Sequence, residues 1–238
     1  MARCANLLAR LAESPRRAAL FLDIDGVLAP IVPRPEDARV PDDTRGELRR
    51  LHRRYALVAC ISGRAGEDAR EIVGIPELTY VGNHGLELEP HSHEWTARLR
   101  NFLSAVEWPD LEDKHLTAAL HYRRADDEDA ARAELERIAA RAREAGFTTR
   151  FGRKVLELVP PLAADKGTAV QRLLAAHELR RALCAGDDTT DLDAFRALDE
   201  LELAVRVAVT SDEGPPALRD AADLVIGPDE VLPLLRRL

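Results

Sequence analysis

An α/β fold built on a parallel sheet, with a small α+β module inserted near its middle, is what this 238-residue sequence predicts. Three observations carry the prediction. Short apolar runs alternate with longer polar-patterned segments, as in β-α units. Three of the apolar runs end in acids or in a Ser-Gly turn, the groups wanted where the carboxyl ends of parallel strands line a ligand crevice. The middle of the chain breaks this alternation with period-2 patterning and one long helical segment.

AALFLDIDG (18–26) reads as a buried strand that ends in acids. The segment 42–54 opens with capping candidates and spaces Leu48 and Leu51 as a helix does. YALVACISGR (55–64) is a second buried strand with a polar turn at its end, and helical patterning follows over 65–73. LTYVGNHGLEL (78–88) gives another strand and a Gly-rich turn. HLTAALHYR (115–123) alternates like a strand with one wet face, EDAARAELERIAARAREAG (128–146) is a long helix with a glycine stop, and FTTRFGRKVLELVP (147–160) reads as a hairpin around Gly152. Lys166 opens a helix-like run to His177, and RALCAGDDTTD (181–191) is a third strand that runs into acids. AVRVAV (204–209) and ADLVIG (222–227) are further strands, and VLPLLRRL closes the chain. The predicted organisation is therefore a core of 1–88 and 162–238 with an inserted module over 89–161.

Acidic residues outnumber basic ones 42 to 34, a formal charge of −8, which excludes a general binder of nucleic acid or anionic membrane. No apolar run approaches the ~20 residues that span a bilayer. The start lacks the apolar stretch and cleavage site of a signal peptide, while Leu7, Leu8 and Leu11 mark an amphipathic piece that docks either on the core or on a partner. Cys4, Cys60 and Cys184 are few and far apart, which fits a reducing cytoplasm. Among the 34 cations only Lys114, Lys154 and Lys166 are lysines, and two readings stand: each marks a position where a compact ammonium is preferred to the planar arginine fork, or the lysines fall there by chance.

The chemistry lies at the strand ends. Asp23 and Asp25, Ser62 and Gly63, and Asp187 and Asp188 are far apart in sequence yet converge if the three strands are parallel neighbours. Lys166 at a helix start reaches the same crevice. Carboxylates crowded in this way repel unless a cation sits among them, and all-oxygen ligands without a His/Cys cluster suit Mg2+. A cation, a lysine, a serine hydroxyl and glycine-rich backbone together cradle phosphate. A carboxylate there is a covalent nucleophile in phosphoryl transfer. A calcium loop is the competing reading of DIDG, but Val27, Leu28 and Ala29 replace its oxygen ligands.

DIDGVL, ISGR, ADKG and GDDTTD stand in the order of the four motifs of the haloacid dehalogenase phosphatase superfamily, which the chain resembles. It is similar more narrowly to the trehalose-6-phosphate phosphatases, through GNHGLE (82–87), LEDKHLTAALHYR (111–123), GRKVLELVP (152–160) and GDDTTDLDAF (186–195). The likeness spans most of 18–238. It implies a Rossmann-like core of the haloacid dehalogenase type with an α/β cap over about 89–161 that closes on the sugar. It also implies Asp23 as the nucleophile, Asp25 as the general acid and base, and Ser62 and Lys166 as holders of the phosphoryl group. Mg2+ would be bound by Asp23, the carbonyl of Asp25, Asp187 and Asp188, with Asp191 ordering the loop from further out. Gly63, Arg64, His84 and Glu87 on the core side, and Lys114, Arg153 or Lys154, and Glu157 on the cap, would contact substrate; His121 and Arg123 fit cap packing equally well. Trp95 and Trp108 are expected to be core rather than sugar platforms.

One residue departs from the family pattern: Leu192 stands where an acid usually follows Asp191, which bears on the choice of sugar or on a contact that supports the loop. The implied activity is Mg2+-dependent hydrolysis of trehalose 6-phosphate by a cytoplasmic monomer, the substrate being a small sugar phosphate. The alternative is a capped phosphatase for sucrose phosphate or mannosyl-3-phosphoglycerate. A phosphoaspartate receiver module is disfavoured because Lys166 precedes the GDD acids and because of the long insertion. A catalytically dead sugar-binding remnant is disfavoured because all the core acids are present.

Overall fold

Apolar strands rich in Val, Leu and Ala, flanked by helices that are apolar along one face, can bury both faces of a parallel sheet only by layering helices on each side. A computed structural model describes residues 2–32, 34–210 and 214–238 of the chain. The chain divides into two compact units, 1–85 with 164–238 and 86–163.

The first unit begins with α1 (Ala2–Ala12), β1 (Ala19–Leu22), α2 (Asp42–Arg54), β2 (Leu57–Ile61), α3 (Gly66–Val73) and β3 (Thr79–Val81). The second unit holds α4 (Ser92–Leu103), β4 (Leu111–Asp113), β5 (Ala118–His121), α5 (Glu128–Glu144), β6 (Thr148–Gly152) and β7 (Val155–Val159). The chain then returns to the first unit through α6 (Lys166–Ala176), β8 (Arg181–Gly186), α7 (Asp191–Arg196), β9 (Leu203–Val209), α8 (Pro216–Ala221), β10 (Leu224–Ile226) and α9 (Val231–Arg237).

The six strands of the first unit run parallel in the order β10-β9-β8-β1-β2-β3. β1, β2 and β8 are buried along their length apart from Arg181, as expected of strands covered on both faces. Leu22 pairs with Cys60 on one side and Ala185 on the other, so Asp23, Ser62 and Asp187 leave their strands at one edge of the sheet. Leu8 and Leu11 are buried in the same core as β1, β2 and β9, so the amphipathic N-terminal segment docks on the core. Cys60 and Cys184 are free and buried, and the side chain of Cys4 lies outside those described.

In the second unit the four strands are antiparallel in the order β4-β5-β7-β6. Leu156 and Leu158 of β7 are buried and pack with Leu99 and Leu103 of α4 and Leu135 and Ile138 of α5, so both helices cover one face of the sheet. Trp95 sits edge-on to Phe147 at 5.2 Å and Trp108 packs on this core, which makes both structural. The sequence missed α4 and the three-residue β4. Among the described residues no helix is long and apolar enough to cross a membrane.

Candidate active site

The chain after β1 cannot continue in the sheet because it folds tightly on itself: the amides of Leu28 and Ala29 donate to the Ile24 carbonyl at 2.9 and 2.7 Å, and Gly26 donates to Ala29 at 2.8 Å. This turn fixes Asp23, whose own amide still pairs with Ala185 of β8 at 3.0 Å. Gly26 has φ +77°, and a Cβ there would stand 2.1 Å from Asp187 Oδ2, so only glycine lets the two acidic loops touch.

Lys166 is the first residue of α6, where Asp165 caps the helix by accepting from the Thr168 amide at 2.7 Å while Thr168 Oγ1 accepts from the Asp165 amide at 2.9 Å. Its ammonium donates to Asp23 Oδ2 and to Asp191 Oδ1, each at 2.7 Å. The side chains of Lys166, Asp23 and Asp191 are 3%, 9% and 2% exposed, so this is a buried ion cluster and not a surface bridge. Asp191 Oδ2 accepts the amides of Asp187 and Asp188 at 3.0 and 3.1 Å. Asp191 thus ties the loop after β8 to the lysine beside Asp23.

Donor oxygens of Asp23, Asp187 and Asp191 lie within 4.8 Å of one another. Three carboxylates share one ammonium there, and the imbalance shows in their acidity. Burial, opposed by Lys166 and reinforced by Asp191, pushes Asp23 up to about 7; burial and the Asp191 charge push Asp187 up to about 7. Burial lowers the Lys166 ammonium, but its two carboxylates outweigh that and hold it above the ordinary lysine range. Oxygen-only donors with surplus negative charge suit a hard divalent cation. Any of the three could offer an oxygen to it, although both oxygens of Asp23 already accept, from the Ile24 amide and Lys166, as do both of Asp191, from Lys166 and the loop amides.

Ser62 is 1% exposed and its Oγ accepts the Arg64 amide at 3.2 Å. The turn 83–85 docks on 62–64: the Asn83 amide donates to the Arg64 carbonyl at 2.7 Å and the His84 amide to the Ser62 carbonyl at 2.9 Å. Asn83 and His84 sit at φ 51° and 53°, and a Cβ on Gly63 would meet the His84 imidazole at 2.7 Å. The structure therefore gathers Ser62, Gly63, Arg64 and His84. It also joins Arg64 to Asp25 by two bonds, Nε to Oδ2 at 2.6 Å and Nη2 to Oδ1 at 2.7 Å.

Not every expected residue joins the buried cluster. Asp188 is exposed, and its Oδ1 accepts the amide and hydroxyl of Thr189 at 2.6 and 3.2 Å, so its carboxylate serves its own loop and Asp191 takes the buried place instead. A carboxylate three residues further on turns back across the first turn of α7, whereas the adjacent one points out to solvent. Glu87, expected on the core side, is half-buried just past the turn and falls in the second unit. Lys114, Arg153, Lys154 and Glu157 all lie in the second unit. Glu157 shares the sheet face opposite the helices with Glu112, and Glu112 lies 3.5 Å from Lys114 and 3.2 Å from His121 Nε2. Lys154, at φ 63° in the β6–β7 turn, pairs with Glu128 in the first turn of α5, and Arg153 is exposed in the same turn. Sequence reading missed Glu112, although its i+2 spacing to Lys114 on a strand was the available signal.

A family model described as trehalose-phosphatase matches residues 21–110 and 99–221. A trehalose-phosphate phosphatase of Mycobacterium ulcerans is 34% identical over 223 residues, covering 82% of this chain and 55% of that protein. An uncharacterized glycosyl hydrolase of Mycobacterium tuberculosis is 37% identical over 210 residues, covering 77% of this chain but 15% of that protein. The chain thus spans 15–55% of the length of these relatives. A crystal structure of a trehalose-6-phosphate phosphatase related protein superposes with TM-score 0.68 at 25% identity, covering 92% of this chain and 95% of that one.

Proposed function

The chain belongs to the trehalose-phosphatase family, and we propose that it hydrolyses trehalose 6-phosphate to trehalose and phosphate through an aspartyl-phosphate intermediate. The observation that carries the reading is the buried Lys166 shared between Asp23 and Asp191 at the carboxyl edge of a parallel sheet. It holds a carboxylate nucleophile ready beside a cation that tolerates phosphoryl oxygens.

A carboxylate oxygen of Asp23 attacks phosphorus and the bond to the sugar oxygen breaks. Asp25 gives that oxygen its proton, then takes one from the water that hydrolyses the aspartyl phosphate; two displacements replace one harder step. Ser62 and Lys166 hold the phosphoryl oxygens. Mg2+ held by Asp23 and Asp187, and by the carbonyl of Asp25, would offset the charge of nucleophile and phosphate. His84 and Glu87, with Lys114, Glu157 and Lys154 or Arg153 of the cap, contact the sugar hydroxyls. Glu112 joins them because it shares a sheet face with Glu157 and lies beside Lys114.

Phosphate release is measured on trehalose 6-phosphate, sucrose phosphate, mannosyl-3-phosphoglycerate and glucose 6-phosphate, with Mg2+ and with EDTA. Metal-dependent turnover with trehalose 6-phosphate preferred is expected. Preference for another member of the panel would reassign the sugar, and turnover that survives EDTA would remove the metal from the reading.

A further inference from the structure

Asp25 is two residues beyond Asp23, inside the turn that follows β1, and it is Asp23 and Asp191 that pair with Lys166. Both of its carboxylate oxygens are taken by the fork of Arg64, 39 residues away, at 2.6 and 2.7 Å. The pair is partly shielded, Arg64 being 18% and Asp25 37% exposed, and the Arg64 backbone is fixed by Ser62 Oγ on its amide and the Asn83 amide on its carbonyl. A bidentate fork sets a carboxylate in position and plane, which a single contact does not. It also matches a phosphate as well as it matches a carboxylate.

We propose that Arg64 is the positioning residue of Asp25: it holds that carboxylate at the mouth of the site and releases one oxygen to the leaving sugar when the substrate's phosphate draws the guanidinium away. The exchange replaces one anionic partner of Arg64 with another, and the freed Asp25 carboxylate takes up a proton from solvent or from the incoming phosphate monoanion, which it then passes to the leaving sugar oxygen. It rests on the proton-transfer role given above to Asp25. It also changes the role of Arg64 from a plain phosphate contact to a residue that acts through Asp25.

The test is a double-mutant cycle on Arg64→Ala and Asp25→Asn, with an alkyl phosphate (trehalose 6-phosphate, or whichever sugar phosphate the panel favours) and p-nitrophenyl phosphate, whose leaving group needs no proton. Arg64→Ala is expected to lower kcat on the sugar phosphate by about tenfold, part of the hundredfold or more that general acid catalysis contributes. The phosphate is common to both esters, so any rise in KM should appear on both; kcat on p-nitrophenyl phosphate is expected to stay within about threefold, and kcat on the sugar phosphate to fall no further when Asp25 is already Asn. Arg64→Lys, which keeps the charge and loses the fork, should recover only part of the loss, and it replaces the alanine variant if that fails to fold. Equal losses of kcat on both esters, a rise in KM with kcat on the sugar phosphate unchanged, or losses of kcat that multiply in the double variant would overturn the proposal. One arm needs no activity: the Arg64 Nε–H NMR signal should be protected from exchange and should lose that protection in Asp25→Asn. A signal indifferent to that change would refute the pairing even if no ester were hydrolysed.

Discussion

Lys166→Met tests the buried cluster most directly. The ammonium makes two 2.7 Å contacts, to Asp23 and Asp191, and all three side chains are nearly sealed from water. Methionine keeps the length and apolar stem but leaves two acids without their cation. Breaking a buried pair in this way costs about 3–5 kcal/mol, a large share of the ~5–15 kcal/mol that holds a protein folded. The cost depends on pH in a definite direction. Asp23 already sits at about 7 with the lysine present, and losing the lysine moves it higher. A carboxyl whose folded pKa exceeds its unfolded one keeps its proton in the folded state as pH rises from about 4, so stability falls with increasing pH across that window. The deficit of the variant should therefore be largest at pH 8 and shrink at pH 5.5, where Asp23 is neutral. Urea unfolding at both pH values, with the midpoint difference converted through m, reads it. A loss below about 1 kcal/mol that is the same at both pH values would refute the buried-charge account.

Three further outcomes are expected. Gly26→Ala places a Cβ 2.1 Å from Asp187 Oδ2 at φ +77°; it should weaken Mg2+ binding and lower kcat by a hundredfold or more, while a Mg2+ titration unchanged from wild type would show that the loops yield. Mg2+ binding should tighten between pH 6 and 8, because Asp23 and Asp187, both pushed up to about 7, must give up protons to hold it; calorimetry in buffers of different ionisation enthalpy should report proton release at pH 6 that fades by pH 8, and release equal at both would count against the shifts. Lys114→Ala should raise KM for the sugar phosphate more than Lys154→Ala does, since Lys114 lies beside Glu112 and His121 whereas Lys154 is tied to Glu128; the reverse order in steady-state kinetics would move the sugar contacts to the β6–β7 turn.

Much of this arrangement is local, and local features are readable in a sequence. A buried strand that runs into DID, ISG or GDD announces its own carboxyl end, and the parallel register of Leu22 with Cys60 and Ala185 then brings Asp23, Ser62 and Asp187 to one edge. The second unit's hairpin and α5 were legible for the same reason. What stayed hidden depends on contacts across the fold. Lys166 and Asp191 are 25 residues apart, and Arg64 and Asp25 are 39 apart, with no periodicity to link them. α4 begins with Ser92 and His93 after His91 and carries Arg98 and Arg100 on either side of Leu99, so its buried Leu99 and Leu103 stand out only once Phe147 and α5 are packed on it. The left-handed backbone at Lys154 is not announced by its residue type, whereas Asn83 and His84 are of types that adopt it more readily.

The departure at Leu192 can be weighed from the same geometry. Asp191 does the organising: one oxygen on Lys166, the other on two loop amides, with Gly186 making room where a Cβ would stand 2.1 Å from the Asp191 Cγ. Successive residues on a helix point about 100° apart, so the next side chain cannot share that position. Leu192 instead lines a surface groove with Phe195, Arg196, Arg206 and Ala217. An acid at 192 would face Arg196 and Arg206 and not the buried carboxylates. Arg206 already has Asp199 at 2.6 Å and Asp223 at 3.3 Å, and Arg196 has Asp193 at 2.7 Å, so those cations do not depend on it. The leucine thus removes no oxygen from the cluster around Lys166. Its side chain lies on the outer side of α7, in the groove with Phe195, Arg196 and Arg206 and apart from the ion cluster.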